Sequence, residues 1–237
     1  MDIGKSFTYM FDDEDWVSKL AIGGLLALVS IIPLVNLFTG FVLIGYALRT
    51  MKNVAERKDR PLPNWDDWGG DWIRGLMVSL GALIYSIPIW VLMGFAWIVK
   101  AIAGYSEGDA SVIVGICMTG ASCLSSLWGL AEAIVLPAAI VKYAMTGDFS
   151  SFFRFNEIFR FIGENFSNYI VAILLAFAAE IIAGFGTILC VIGVFFTYFW
   201  AVLVSSHLFG QVQAEATPPT ETSGGSYGEL SEESLSS

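Results

Sequence analysis

Long, uninterrupted apolar runs constrain this chain more than any other feature. Residues 16–48, 73–100, 112–143, 166–185 and 188–210 carry few charges and do not alternate between polar and apolar positions. A bilayer core about 30 Å thick is crossed by about 20 helical residues. Backbone groups inside it must be satisfied within a helix or a closed barrel, and a barrel would show alternating segments of about ten residues. The runs are therefore helices. Composition agrees: 56% of residues are hydrophobic and 14% charged, where a soluble domain carries about 25% charged residues.

The first run is too long for one crossing, and Pro33 and Asn36 mark a turn within it. The expected fold is an all-α integral membrane protein of about six transmembrane helices in three hairpins. The spans are placed at 16–32, 35–56, 73–100, 112–143, 166–185 and 188–210. Residues 1–213 form one membrane domain. Residues 214–237, with five acids, no base and many Ser, Thr, Gly and Pro, read as a disordered acidic tail. Two segments read as interfacial amphipathic helices. One is residues 4–15, and the other is 147–164, where Phe152, Phe155, Phe159 and Ile162 recur at helical spacing. Residues 58–71 read as a loop that Pro61, Pro63 and the Gly69-Gly70 pair keep from becoming helical, with Trp65, Trp68 and Trp72 at the headgroups. GYSEGDA, 104–110, reads as a short loop.

Lys and Arg accumulate in cytoplasmic loops. With six spans and both termini inside, Lys100 alone of the 12 basic residues falls outside. The expectation is a multi-pass protein of the cell membrane with cytoplasmic N- and C-termini. An aromatic interfacial segment precedes each of the three hairpins, which suggests an internal repeat related about the membrane normal.

Few residues point to chemistry. Glu132 lies mid-way along the fourth span, where a carboxylate costs about 2.5–3.5 kcal/mol to insert and needs a partner. Glu180 lies in the outer part of the fifth span. Together they could form a proton- or cation-linked site, or Glu132 could be protonated or hydrogen-bonded between helices while Glu180 reaches the outer interface. His207, near the inner end of the sixth span, reads as an interhelical hydrogen-bonding residue. Gly115, Gly120, Ala121, Ser122, Ser125, Ser126 and Gly129 suggest close helix packing in the fourth span. Asp12, Asp13, Glu14 and Asp15 are expected to cap the first helix. With one histidine, three cysteines and no CxxC, no metal site is expected. The phosphate loop, the zinc-protease motif and a nucleophilic triad are all missing from the sequence. No enzyme and no cofactor are expected. Nucleic acid is excluded as a partner by a net charge of −10 and the lack of a basic face.

Three segments carry a family resemblance: DEDWVSKLAIGGLLALV, GYALRTMKNVAERKDRPLPNWDDW and LPAAIVKYAMTGDFSSFFRFNEIFRFIGENFSNYIVAILL, followed by GVFFTYFWAVLVSSHLFGQ. Over residues 3–212 the chain resembles the prokaryotic membrane family called domain of unknown function 4013. The resemblance implies a multi-spanning membrane protein of archaeal type and nothing catalytic. Its most specific positions are Pro61, Pro63, Trp65, Asp66, Asp67, His207, Gly210 and Gln211, which suit a cytoplasmic docking surface. The functional expectation is a non-enzymatic membrane module that docks or regulates a protein partner at the cytoplasmic face. The alternative is a transporter or permease-like subunit using Glu132. Membrane lipid is an expected partner in either case, and a homo-oligomer is left open.

Overall fold

A computed structural model describes residues 1–103 and 109–217. Among them the chain is all-helical, an all-α integral membrane fold. The helices are α1 (Ile3–Thr8), α2 (Trp16–Val29), α3 (Pro33–Ala55), α4 (Trp68–Ala103), α5 (Asp109–Thr146), α6 (Phe155–Glu164), α7 (Phe166–Gly184) and α8 (Cys190–Ala216). Five segments are long and apolar enough to cross a membrane: Pro33–Ala55, Trp68–Ala103, Val112–Thr146, Phe166–Ile188 and Ile192–Ala216. The sixth expected span, α2, is apolar but has 14 residues. At about 1.5 Å per residue it is shorter than a bilayer core.

The hairpin partners pack together, α2 with α3, α4 with α5 and α7 with α8. The hairpins are joined through α3 and α8. These two helices supply most of the large buried side chains, among them Tyr46, Phe199, Leu203 and Leu208. The far halves of α4 and α5 lean on each other and expose Trp90, Phe95, Ile113 and Leu124. Exposed apolar surface of this extent is a membrane-facing feature.

Several local expectations are corrected. α3 begins at Pro33 itself, because proline is favoured in the first helical turn, where its missing N–H costs nothing. α4 begins at Trp68 and runs through Gly69 and Gly70. The Asp67 carboxylate accepts the Gly70 N–H at 3.1 Å and so caps the helix, outweighing the glycine pair. Asp12–Asp15 do not cap α2 through their side chains. Instead the buried Asp13 accepts from the Asp15 N–H at 2.9 Å and pairs with the buried Lys19 at 2.7 Å. Residues 147–164 are two pieces, a 3-10 turn (Phe149–Phe153) and then α6. Phe152 and Ile162 are buried there, while Phe155 and Phe159 are exposed. α8 continues through Ala216, so the first three residues assigned to the tail are helical. Residues 218–237, the rest of that tail, lie outside the described residues, as do 104–108 of the expected GYSEGDA loop.

The small residues of the fourth span do not make the tightest contacts. A Cβ added at Gly115, Gly120 or Gly129 would meet nothing within 4 Å. The close approach lies elsewhere. A Cβ on Gly45 of α3 would fall 1.9 Å from the Asp71 carbonyl oxygen, and one on Gly75 of α4 would fall 1.8 Å from that of Phe41. Each helix thus lays its backbone against a glycine of the other.

Candidate functional site

Polar side chains concentrate at one end of the bundle. The segment 60–68 folds back across the ends of α2, α3 and α4 rather than standing off as a loop. Pro61, Leu62 and Pro63 are buried. Their carbonyls are taken by neighbouring elements: Asn53 Nδ2 donates to Pro61 O at 2.9 Å, Lys19 Nζ to Leu62 O at 3.2 Å, and the Tyr46 hydroxyl to Pro63 O at 2.8 Å. Proline has no N–H to satisfy, so a proline-rich strip can bury its carbonyls with fewer partners. Trp65 stacks on Tyr46 with ring centroids 4.0 Å apart and donates its indole N–H to Lys19 O at 3.2 Å.

Two arginines tie this segment to α3 and α4. Arg49 donates to Asp66 at 3.0 Å, to Asn64 O at 2.8 Å and to Asp71 at 2.7 Å. Arg74 donates to Asp71 at 2.8 Å and to Asp67 at 2.8 Å. Asp71 is the hub, with a side chain only 1% exposed. The Arg49 hydrogen bond holds the Asp66 carboxyl below the ordinary carboxylate range, and Arg74 does the same for Asp67.

The second motif sits at the same end. His207 is buried, stacks on Tyr9 at 4.2 Å, and has Nδ1 3.0 Å from the Ser6 hydroxyl. Gln211 accepts the Asp2 N–H at 2.8 Å and donates to Asp2 O at 3.0 Å. Gly210 lets α8 approach α3, where an added Cβ would fall 2.7 Å from Met51 O. The Met1 amino group pairs with Glu215. Together these contacts strap residues 1–9 onto α8.

The motif positions Pro61, Pro63, Trp65, Asp66, Asp67, His207, Gly210 and Gln211 are thus brought to one end of the molecule, and most are engaged in holding it together. The acids around them stay accessible. The Glu14 side chain is 78% exposed and that of Asp66 68%. Asp12, Asp15, Glu56 and Asp59 are exposed as well.

Glu132, Glu180 and His207 do not meet. Glu132 lines a cavity of about 310 Å³ between α4, α5 and the 149–159 segment, and its Oε1 lies 2.8 Å from the Ser86 hydroxyl. Glu180 is exposed on α7 and is not part of that cavity. Sequence reading did not find Arg49, Asp71, Arg74, Lys19 or Ser86. The charge of Arg49 at the end of the first apolar run and the Asp67–Asp71–Arg74 spacing were the available signals.

The family described as "Protein of unknown function (DUF4013)" matches residues 25–192. The match includes the RPLPNWDDW segment and ends before HLFGQ. An uncharacterized protein of Methanocaldococcus jannaschii is 33% identical over 160 residues, which is 64% of this chain. Those residues make up 50% of that protein, so the chain spans about half the length of the curated relative it matches. No solved structure matches.

Proposed function

The chain belongs to the DUF4013 family, whose description gives no activity, and from the geometry of its polar end we propose a non-enzymatic membrane module that docks a basic protein partner at the cytoplasmic face. One observation carries the reading: an acid-rich surface is held rigid from beneath. Asp66 and Asp67 are fixed by arginines. Glu14 is bridged to Arg60 at 2.7 Å, and the chain on either side is anchored by the Asp13–Lys19 pair and the Pro61–Pro63 carbonyl bonds. A surface already fixed in place loses little entropy on binding. Acidic groups next to an anionic leaflet are repelled by it; Glu14 and Asp66 are each paired with an arginine, yet their side chains stay largely exposed and keep acceptor sites for a cationic protein surface. The cytoplasmic placement is supported by the distribution of basic residues, of which Lys100 alone falls outside when both termini are inside.

The test is partner capture from native membranes with a charge-reversed variant. Glu14→Lys with Asp15→Lys touches only exposed positions and leaves the Arg49–Asp71 hub intact. The reading predicts a stoichiometric basic protein that is retained by wild type, lost from the variant and released by salt. Identical capture by the two proteins would remove the docking surface from this face. A permease-like subunit is the second reading, favoured by the open cavity at Glu132.

A further inference from the structure

The cavity at Glu132 has an unusual chemical makeup. Its walls include Ile84, Tyr85, Trp128, Phe153 and Phe159, and Glu132 is the acid among them. The two aromatic residues with polar handles have spent them on backbone. The Tyr85 hydroxyl donates to Phe152 O at 2.6 Å, and the Trp128 indole N–H donates to Tyr85 O at 2.9 Å. These bonds fix both residues and leave their rings as apolar and π surface. Tyr85 and Phe153 are nearly parallel, with centroids 6.5 Å apart.

The carboxylate is underused. Ser86 has one proton to give, shared between Glu132 Oε1 at 2.8 Å and Ala82 O at 3.0 Å. Two carboxylate oxygens offer about four acceptor sites. A negative group among apolar walls gains most from a positive charge brought beside it, because attraction is strong where water is scarce. Aromatic faces favour organic cations over small hydrated ones. A volume of about 310 Å³ lies at the lower end of small-molecule sites, which run from about 300 Å³.

We infer that this cavity binds a lipophilic organic monocation, its charge against Glu132 and its apolar groups among Tyr85, Trp128, Phe153 and Phe159. A phospholipid headgroup is a poor occupant, since its amine arrives with a phosphate that Glu132 repels. A neutral acyl chain would fill the space and leave the carboxylate without a counter-charge. A free amphiphilic cation satisfies both. The inference needs binding and not translocation, and it stands apart from docking at the polar end.

The experiment is equilibrium binding of radiolabelled tetraphenylphosphonium to the full chain in phosphatidylcholine nanodiscs, with empty nanodiscs subtracted. Wild type is expected to bind saturably at one site. Glu132→Gln should weaken binding at least tenfold, and Phe159→Ala, at an exposed position, should weaken it severalfold. Glu180→Gln should bind as wild type. Absence of saturable binding by wild type would overturn the site, and so would a Glu132→Gln protein that binds with wild-type affinity. Should Glu132→Gln fail to fold, Phe159→Ala and Trp128→Leu decide the matter: unchanged affinity in both overturns the inference. Binding that is displaced by adding phosphatidylethanolamine to the discs would assign the cavity to a lipid headgroup and contradict the monocation.

Discussion

Replacing Gly75 with alanine is expected to destabilise the protein by at least the top of the range seen for overpacked cores, about 1–3 kcal/mol. The new methyl carbon would sit 1.8 Å from the Phe41 carbonyl oxygen, and its reciprocal at Gly45 would sit 1.9 Å from that of Asp71. Both obstacles are backbone, so no side chain can swing away. The only relief is to separate α3 from α4. That separation would also stretch the Arg49–Asp71 bond, which crosses the same pair of helices at 2.7 Å. Once the helices are apart, the second substitution meets less resistance, so Gly45→Ala with Gly75→Ala should cost less than the sum of the two. Gly129→Ala is the control. Its Cβ meets nothing within 4 Å, and alanine is favoured over glycine in a helix by about 1 kcal/mol. Thermal unfolding of the four variants in one detergent checks the ranking: Gly75→Ala far below wild type, Gly129→Ala at or above it. Equal melting of Gly75→Ala and wild type would mean that the close crossing does not exist.

Removing the Asp71 carboxylate should have an effect of similar size. Breaking a buried ion pair by deleting one partner costs about 3–5 kcal/mol, because the other charge is stranded. Here Arg49 and Arg74 each lose one partner, while Asp66 with the Asn64 carbonyl still holds the first and Asp67 the second. Arg49 has 18% of its side chain exposed and Arg74 36%, so water recovers part of the loss and the lower end of that range applies. Asp71→Ala is therefore expected to lower the melting temperature strongly, with Asp71→Asn intermediate, since the amide keeps one acceptor and loses the charge. Arg49→Met with Asp71→Leu should be milder than Asp71→Ala alone, because the buried pair is removed whole and the charges left beside it are the mostly exposed Asp66 and Arg74, which keeps Asp67. The measurement is the same thermal series. A double variant that melts below Asp71→Ala would show that the hub acts through packing and not through paired charge.

The broad architecture was legible because it depends on local quantities. Apolar run length defined five spans, and Pro33 divided the first run into the short α2 and the spanning α3. The glycine pair at 69–70 misled, since one cap bond from Asp67 outweighed two poor helix formers. Tertiary pairing was not legible. The residues that recognise Pro61, Leu62 and Pro63 are Asn53, Lys19 and Tyr46, and nothing in their own neighbourhoods announces it. RPLPNWDDW reads as an exposed loop because proline, tryptophan and aspartate favour turns and interfaces, yet its carbonyls are the segment's means of burial. The same limit applied within the membrane. Glu132 stood out as a charge in an apolar span, but Ser86, its partner 46 residues away, and the phenylalanines from the 149–159 segment belong to different elements of the chain. Conversely, the small residues of α5 looked like a packing stripe, yet a Cβ added at Gly115, Gly120 or Gly129 would meet nothing within 4 Å, because helix contact depends on where a neighbour lies as well as on how little room a side chain takes.

The account rests on the polar end of the bundle lying in the cytoplasm. The direct test is labelling of single cysteines by a membrane-impermeant maleimide in intact cells, with Cys117, Cys123 and Cys190 first replaced by alanine. Glu14→Cys and Glu56→Cys are exposed at the polar end, and Lys100→Cys lies near the far end of α4. The account predicts that Lys100→Cys is labelled in intact cells and that the other two react only after permeabilisation. Labelling of Glu14→Cys from outside would invert the molecule and remove the cytoplasmic docking face.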